Sequence, residues 1–209
     1  MKKKLLIIFV KNIRLGKVKT RLAKTIGDEG AFEIYKELVA ITEKSTSTIN
    51  IDKVIYFSDA VVETKWKNSE KRTQFGVDLG ARMKNAFSDG FKQDYQSIVL
   101  IGSDLPDISN TIIENAFNKL KKSDVVFGPA EDGGYYLIGM NQLHAEIFKD
   151  KPWSKSNLLE VTLEELKSNN TCFSLIETLN DIDTYEDLIA SNFYKNNTEL
   201  QQKIKKIHD

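Results

Sequence analysis

The chain has one cysteine, two histidines, no net charge and no long apolar run, and each scarcity removes a class of answer. A lone thiol, Cys172, leaves no intramolecular disulfide and fits a reducing, cytoplasmic setting. It lies in Cys172-Phe173-Ser174-Leu175-Ile176, where a small buried hydrophobe is expected rather than a nucleophile. His144 falls in a polar helical stretch and His208 is the penultimate residue, so neither a histidine-based triad nor a zinc cluster is supported. Thirty basic and thirty acidic residues cancel, so no overall field argues for nucleic acid or an anionic membrane. The apolar run Leu5–Val10 is too short for a membrane span, ends at Lys11 and has no small-residue cleavage site after it. These features predict a cytoplasmic protein with no membrane insertion and no nucleic-acid partner.

What is present is uneven. Nine Lys or Arg fall between Lys2 and Lys24, whereas the first acidic residue is Asp28. A local basic stretch in a neutral chain suits the anionic group of a small molecule. The 209 residues suffice for a substantial core, and no internal repeat or low-complexity linker divides them. Strands are expected at Leu5–Val10, Val54–Phe57, Ser97–Ile101, Asp124–Phe127, Tyr135–Met140 and Cys172–Glu177. Helices are expected from Gly27-Asp28, from about Leu79 to Phe91, after Ser109 or Asn110, from Ser156, and over Tyr185–Ala190. Residues 60–73 are polar and irregular apart from Trp66. The link before Tyr135 is too short for a parallel crossover, so that strand is expected to run antiparallel. The pattern predicts a three-layer α/β/α sandwich with a mixed, mostly parallel sheet. Residues 1–192 form its single domain, and 193–209 a polar tail with a peripheral helix.

Two apolar runs each deliver an aspartate into a turn. Val99-Leu100-Ile101 leads to Gly102-Ser103-Asp104-Leu105-Pro106, and Val125-Val126-Phe127 leads to Gly128-Pro129-Ala130-Glu131-Asp132-Gly133-Gly134-Tyr135-Tyr136. Carboxyl ends of strands are where open α/β sheets bind ligands. The basic loop, Lys11 to Leu22, leaves the first strand at that same edge, where Lys, Arg and backbone N–H groups can converge on phosphate. It lacks P-loop spacing. Beside bound phosphates a carboxylate needs a cation, so Asp104 is read as a magnesium ligand rather than only a turn cap. Asp132 with its two glycines serves either a tight hairpin or close approach of a substrate. In Asp181-Ile182-Asp183-Thr184, capping by Asp183 or Thr184 is the expected use, and a cleft role for Asp181 or Asp183 is secondary.

Taken together, these segments resemble a bacterial family labelled as glycosyltransferases of the GT-A (nucleotide-diphospho-sugar transferase) fold. That family is similar to the molybdenum-cofactor and phospholactate guanylyltransferases. The resemblance runs from Leu5 to about Leu188. It is carried by Lys11, Gly16, Val18, Lys19, Thr20, Arg21 and Leu22, by Gln74 to Met83, by Ile101 to Pro106, by Gly128 to Tyr136, and by Asp181 to Thr184. Departures are Val77 for a glycine, with Gly76 one place earlier, Ile13 for a common proline, and Tyr185 for another.

The resemblance implies nucleotide or phosphate binding by Lys11, Gly16, Lys19, Thr20 and Arg21, and base or sugar contacts from Gln74, Gly80 and Arg82. The reading built on it gives catalytic roles to Asp104 and Asp132, with Asp104 holding Mg2+ or Mn2+ and Asp132 acting either as general base or as a second metal ligand. The function expected is transfer from a nucleotide-activated donor, foremost a metal-dependent glycosyltransferase acting on a nucleotide sugar and an unidentified small-molecule acceptor. Alternatives are a nucleotidyltransferase using a nucleoside triphosphate and a non-catalytic nucleotide-binding module. Fold alone does not separate these.

Overall fold

The computed structural model describes residues 3–208. Seven strands form one sheet: β1 (Lys4–Val10), β2 (Asp52–Phe57), β3 (Glu70–Thr73), β4 (Ser97–Ile101), β5 (Val125–Pro129), β6 (Tyr135–Met140) and β7 (Phe173–Leu175). Their spatial order is β3-β2-β1-β4-β6-β5-β7. All neighbouring pairs are parallel except those of β6, which runs antiparallel to both β4 and β5. The short link before Tyr135 thus gives the reversal its length requires.

Alternation along the strands divides the core. Leu6, Ile8 and Val10 of β1 face a cluster with α1 (Thr20–Ser47) and α3 (Asn110–Lys119), through Tyr35, Val39, Ile113 and Phe117. Leu5, Ile7 and Phe9 face the opposite cluster, with Met83 and Phe87 of α2 (Leu79–Lys92) and Leu166 of α4 (Leu158–Ser168). This is the three-layer sandwich with a mixed, mostly parallel sheet. A third cluster joins Leu22, Ile34 and Leu38 of α1 to Leu188 of α5 (Tyr185–Ala190) and to Leu200 and Ile204 of α7 (Thr198–His208). Between them lies the single turn α6 (Asn192–Lys195).

Four expectations are corrected. The first long helix begins at Thr20 rather than Gly27, and Gly27 (φ 73, ψ 166) is a kink inside it. Leu22 and Ile26 are buried, so the stretch before the kink is anchored rather than looped. The polar stretch 60–73 contains β3, whose charged residues suit an exposed sheet edge. Cys172 is exposed, since the strand starts one residue later at Phe173. His144 is buried, just before a 3₁₀ turn (Ala145–Phe148), with Nδ1 3.1 Å from Glu146 Oε1.

Candidate active site

At the carboxyl edge of β1, β2 and β4 a cleft of about 600 Å³ opens between the layers. Its polar lining includes Lys11, Tyr35, Ser58, Gln74, Arg82, Asp104, Asp132 and Asp181. Its apolar lining includes Phe9, Met83, Leu100, Ile138, Trp153 and Leu158.

The Asp104 turn is built from below. Leu105 and Ile108 are buried and pull the chain off the end of β4 into the core. Ser103 Oγ shares a 2.9 Å hydrogen bond with the Tyr35 hydroxyl, which also accepts from the Lys11 backbone N–H at 2.9 Å. Burial, reinforced by the Asp104 charge, pushes the Tyr35 phenol up to about 12, so it stays a neutral hydrogen-bonding post. The neighbouring loop is held by Asn12, whose buried side chain donates to Ala60 O at 2.7 Å and accepts from Asp59 N at 2.8 Å.

Carboxylate oxygens of Asp104, Asp181 and Asp183 all lie within 4.8 Å of one another. Lys19, whose side chain is 4% exposed, reaches into this group: Nζ lies 3.0 Å from Asp104 Oδ2 and 2.8 Å from Asp183 Oδ1. Arg21 approaches Asp183 Oδ2 from the solvent side at 3.3 Å. Desolvation works to raise the Asp104 carboxyl, but the Lys19 ammonium outweighs it and holds Asp104 below the usual carboxylate range. Burial opposes the charge on Lys19, yet Asp104 and Asp183 hold it above the ordinary lysine value. Among the described residues Asp181 has no ion-pair partner, and the Lys19 charge offsets its burial only in part. Burial and then repulsion from Asp104 push it up to about 7. The capping that the Asp-Ile-Asp-Thr segment promised is done by Thr184 and Asp187, which form a reciprocal capping box and leave the Asp183 side chain to Lys19 and Arg21.

The Asp132 turn also lines the cleft and is fixed by its own contacts. Asp132 Oδ1 accepts from Gly134 N at 2.8 Å. Gly133 has φ 86, and a Cβ there would fall 1.8 Å from the Ser156 carbonyl oxygen. Its own carbonyl accepts from Leu159 N at 3.0 Å, docking the hairpin onto the start of α4.

Of the residues singled out in the sequence, Lys11, Gln74, Arg82, Asp104 and Asp132 line the cleft together. Lys19 and Arg21 reach it through Asp104 and Asp183. Gly16 and Thr20 stand outside it, and Gly80 is a packing point where a Cβ would come within 2.6 Å of the Trp153 ring. Gln74 Nε2 donates to Tyr56 O at 3.1 Å, and Arg82 Nε to Gly76 O at 3.3 Å, so both also tie down their own loop. Tyr35, Ser58 and Trp153 were passed over in the sequence. Tyr35 read as one more position of a helical face, and nothing local distinguishes it from Leu38 or Val39.

Comparison with known proteins fits this geometry. A structure from Desulfovibrio desulfuricans G20, provisionally described as a nucleotide-diphospho-sugar transferase, superposes with a TM-score of 0.83 at 29% identity, over 98% of this chain and 99% of that one. The 4-diphosphocytidyl-2C-methyl-D-erythritol synthase of Anaerococcus prevotii DSM 20548 shares the fold at a TM-score of 0.63 and 12% identity, over 93% and 96% of the two chains. The inositol-1-phosphate CTP transferase of T. maritima does so at 0.55 and 14%, over 98% and 97%. The molecule therefore has the nucleotide-diphospho-sugar transferase fold. No curated protein sequence matches the chain. Residues 43–155 match the family described as "Uncharacterized protein conserved in bacteria (DUF2064)", and the chain belongs to that family.

Proposed function

We propose that this chain transfers a group from a nucleotide-activated donor, and that the donor is a nucleotide sugar whose glycosyl group passes to a small-molecule hydroxyl. The observation that carries the reading is the convergence of Asp104, Asp181 and Asp183 with Lys19 and Arg21 at the edge of one cleft. Carboxylates and cations in alternation suit a diphosphate and the divalent ion that accompanies it. The donor set is all oxygen, three carboxylates around the Lys19 ammonium with the exposed Arg21 at their edge. It therefore fits a hard divalent cation, Mg2+ or Mn2+, held by Asp104 with Asp183 and Asp181. When bound, such an ion would withdraw charge from the diphosphate as it leaves.

The chain's own residues do the rest. Arg21, Lys11 and Lys19 bind phosphate oxygens and stabilise the charge gathering there. Gln74, Arg82 and the N-terminus of α2 hold the base or sugar. The free oxygen of Asp132, whose other oxygen is occupied by Gly134 N, takes the proton of the acceptor hydroxyl. The hydroxyl oxygen forms the bond to the anomeric carbon, and the bond to the diphosphate breaks with its electron pair staying on phosphate. Residues 1–192 carry this activity, 193–209 are an appendage whose α7 packs on α1, and the chain works in the cytoplasm on soluble substrates.

The structural likeness to the inositol-1-phosphate CTP transferase of T. maritima makes nucleotidyl transfer the reading to test against. Calorimetric titration of nucleotide sugars and nucleoside triphosphates, each with and without Mg2+, distinguishes them. Tighter, Mg2+-dependent binding of a nucleotide sugar supports glycosyl transfer. Binding of triphosphates alone favours nucleotidyl transfer, and tight binding indifferent to Mg2+ favours a non-catalytic module.

A further inference from the structure

Lys19 is placed unusually for a phosphate-binding lysine. Its backbone is left-handed (φ 46, ψ 48) at the very start of α1, a conformation that costs a residue with a side chain. Its side chain is buried, and its ammonium touches two of the three carboxylates that converge in the cleft. Among the described residues it has no third hydrogen-bond acceptor. The ammonium thus stands where a divalent ion would draw on the same oxygens, and two cations drawing on one set of oxygens repel each other. A buried ammonium stripped of both carboxylates needs another anion at once.

We propose that Lys19 is an exchangeable internal cation. In the ligand-free protein it bridges Asp104 and Asp183, and a divalent ion displaces it onto the diphosphate of the donor. The inference rests on the nucleotide-donor reading above. Its consequence is that metal and diphosphate load as a unit, each strengthening the other's binding by the same factor. Metal alone meets a group in which the Lys19 ammonium already holds one oxygen each of Asp104 and Asp183. Diphosphate alone finds Lys19 committed elsewhere and meets the more exposed Arg21 and Lys11 instead.

The test uses Mn2+ alone, titrated calorimetrically into the full chain with no nucleotide present. Removing the competing ammonium in Lys19→Gln should tighten Mn2+ binding at least about tenfold. An unchanged or weaker Kd in a variant that is folded by circular dichroism would overturn the proposal. Because Lys19→Gln leaves two carboxylates facing each other and can fail to fold, a second measurement uses the wild-type chain labelled with ¹⁵N-lysine. The Lys19 ammonium resonance should move when Mg2+ and inorganic pyrophosphate are added together, and move much less with either alone. A resonance that stays in place with both present would also overturn it. Neither experiment contains a donor, so failure here leaves the transferase reading standing, and failure of turnover leaves these results unaffected.

Discussion

The Tyr35 hydroxyl and Ser103 Oγ lie 2.9 Å apart, one on the first long helix and the other in the turn that presents Asp104. Through its second bond, to the Lys11 N–H, Tyr35 ties the loop after β1 and the Asp104 turn to one buried post. Tyr35→Phe removes the post while keeping the ring. It should cost about 1–2 kcal/mol, since it strands the Lys11 N–H and frees Ser103. Thermal unfolding checks this, with a fall in Tm of roughly 2–8 °C expected.

Asp181 gives a pH dependence with a definite sign. Its carboxyl titrates near 7 in the folded protein and near 3.8 when unfolded, so between these values the folded state holds a proton that the unfolded chain has released. The stability this gives is complete below about pH 4 and is lost as pH rises through 7. Asp181→Asn should therefore match wild type at pH 4 and melt several degrees higher at pH 8 in the absence of divalent ions. Saturating Mg2+ should shrink the gap, because the wild-type carboxylate then has a cation. Melting curves at the two pH values, with and without Mg2+, read this out.

Asp132→Asn distinguishes a base from a metal ligand. As the base, it should slow transfer about 10²–10⁴-fold with donor affinity and Mg2+ dependence near wild type. Loss of donor affinity, partly restored by more Mg2+, would assign it to the metal instead. The Gly134 N–H bond to Oδ1 survives in the asparagine, so the turn itself should be kept.

The layered sheet was legible because its signals are local and strong. Leu5–Val10 and Ser97–Ile101 are unbroken apolar runs, and the link before Tyr135 is too short for a crossover. The edge strand Glu70–Thr73 was not legible, because an exposed edge needs charged residues and so reads as loop. The start of α1 was hidden by Gly27, which marks a kink but has the look of a boundary. Asp104 could be seen from its strand and turn. Its engagement with Lys19, 85 positions away, could not, since a lysine in a basic loop carries no sign of burial. Gly133 was equally poised between hairpin and substrate roles. The Ser156 carbonyl against it supplies a packing reason for the glycine that only the tertiary structure reveals.

The most direct test of the central claim is turnover itself. Purified chain with Mg2+ should be offered a panel of nucleotide sugars with pooled small-molecule hydroxyl acceptors, and in parallel nucleoside triphosphates with sugar phosphates, and the released species measured. The account predicts release of a nucleoside diphosphate from a nucleotide sugar, abolished by chelation and reduced at least about a hundredfold in folded Asp104→Asn. Release of pyrophosphate from a triphosphate alone, or wild-type turnover in Asp104→Asn, would contradict it.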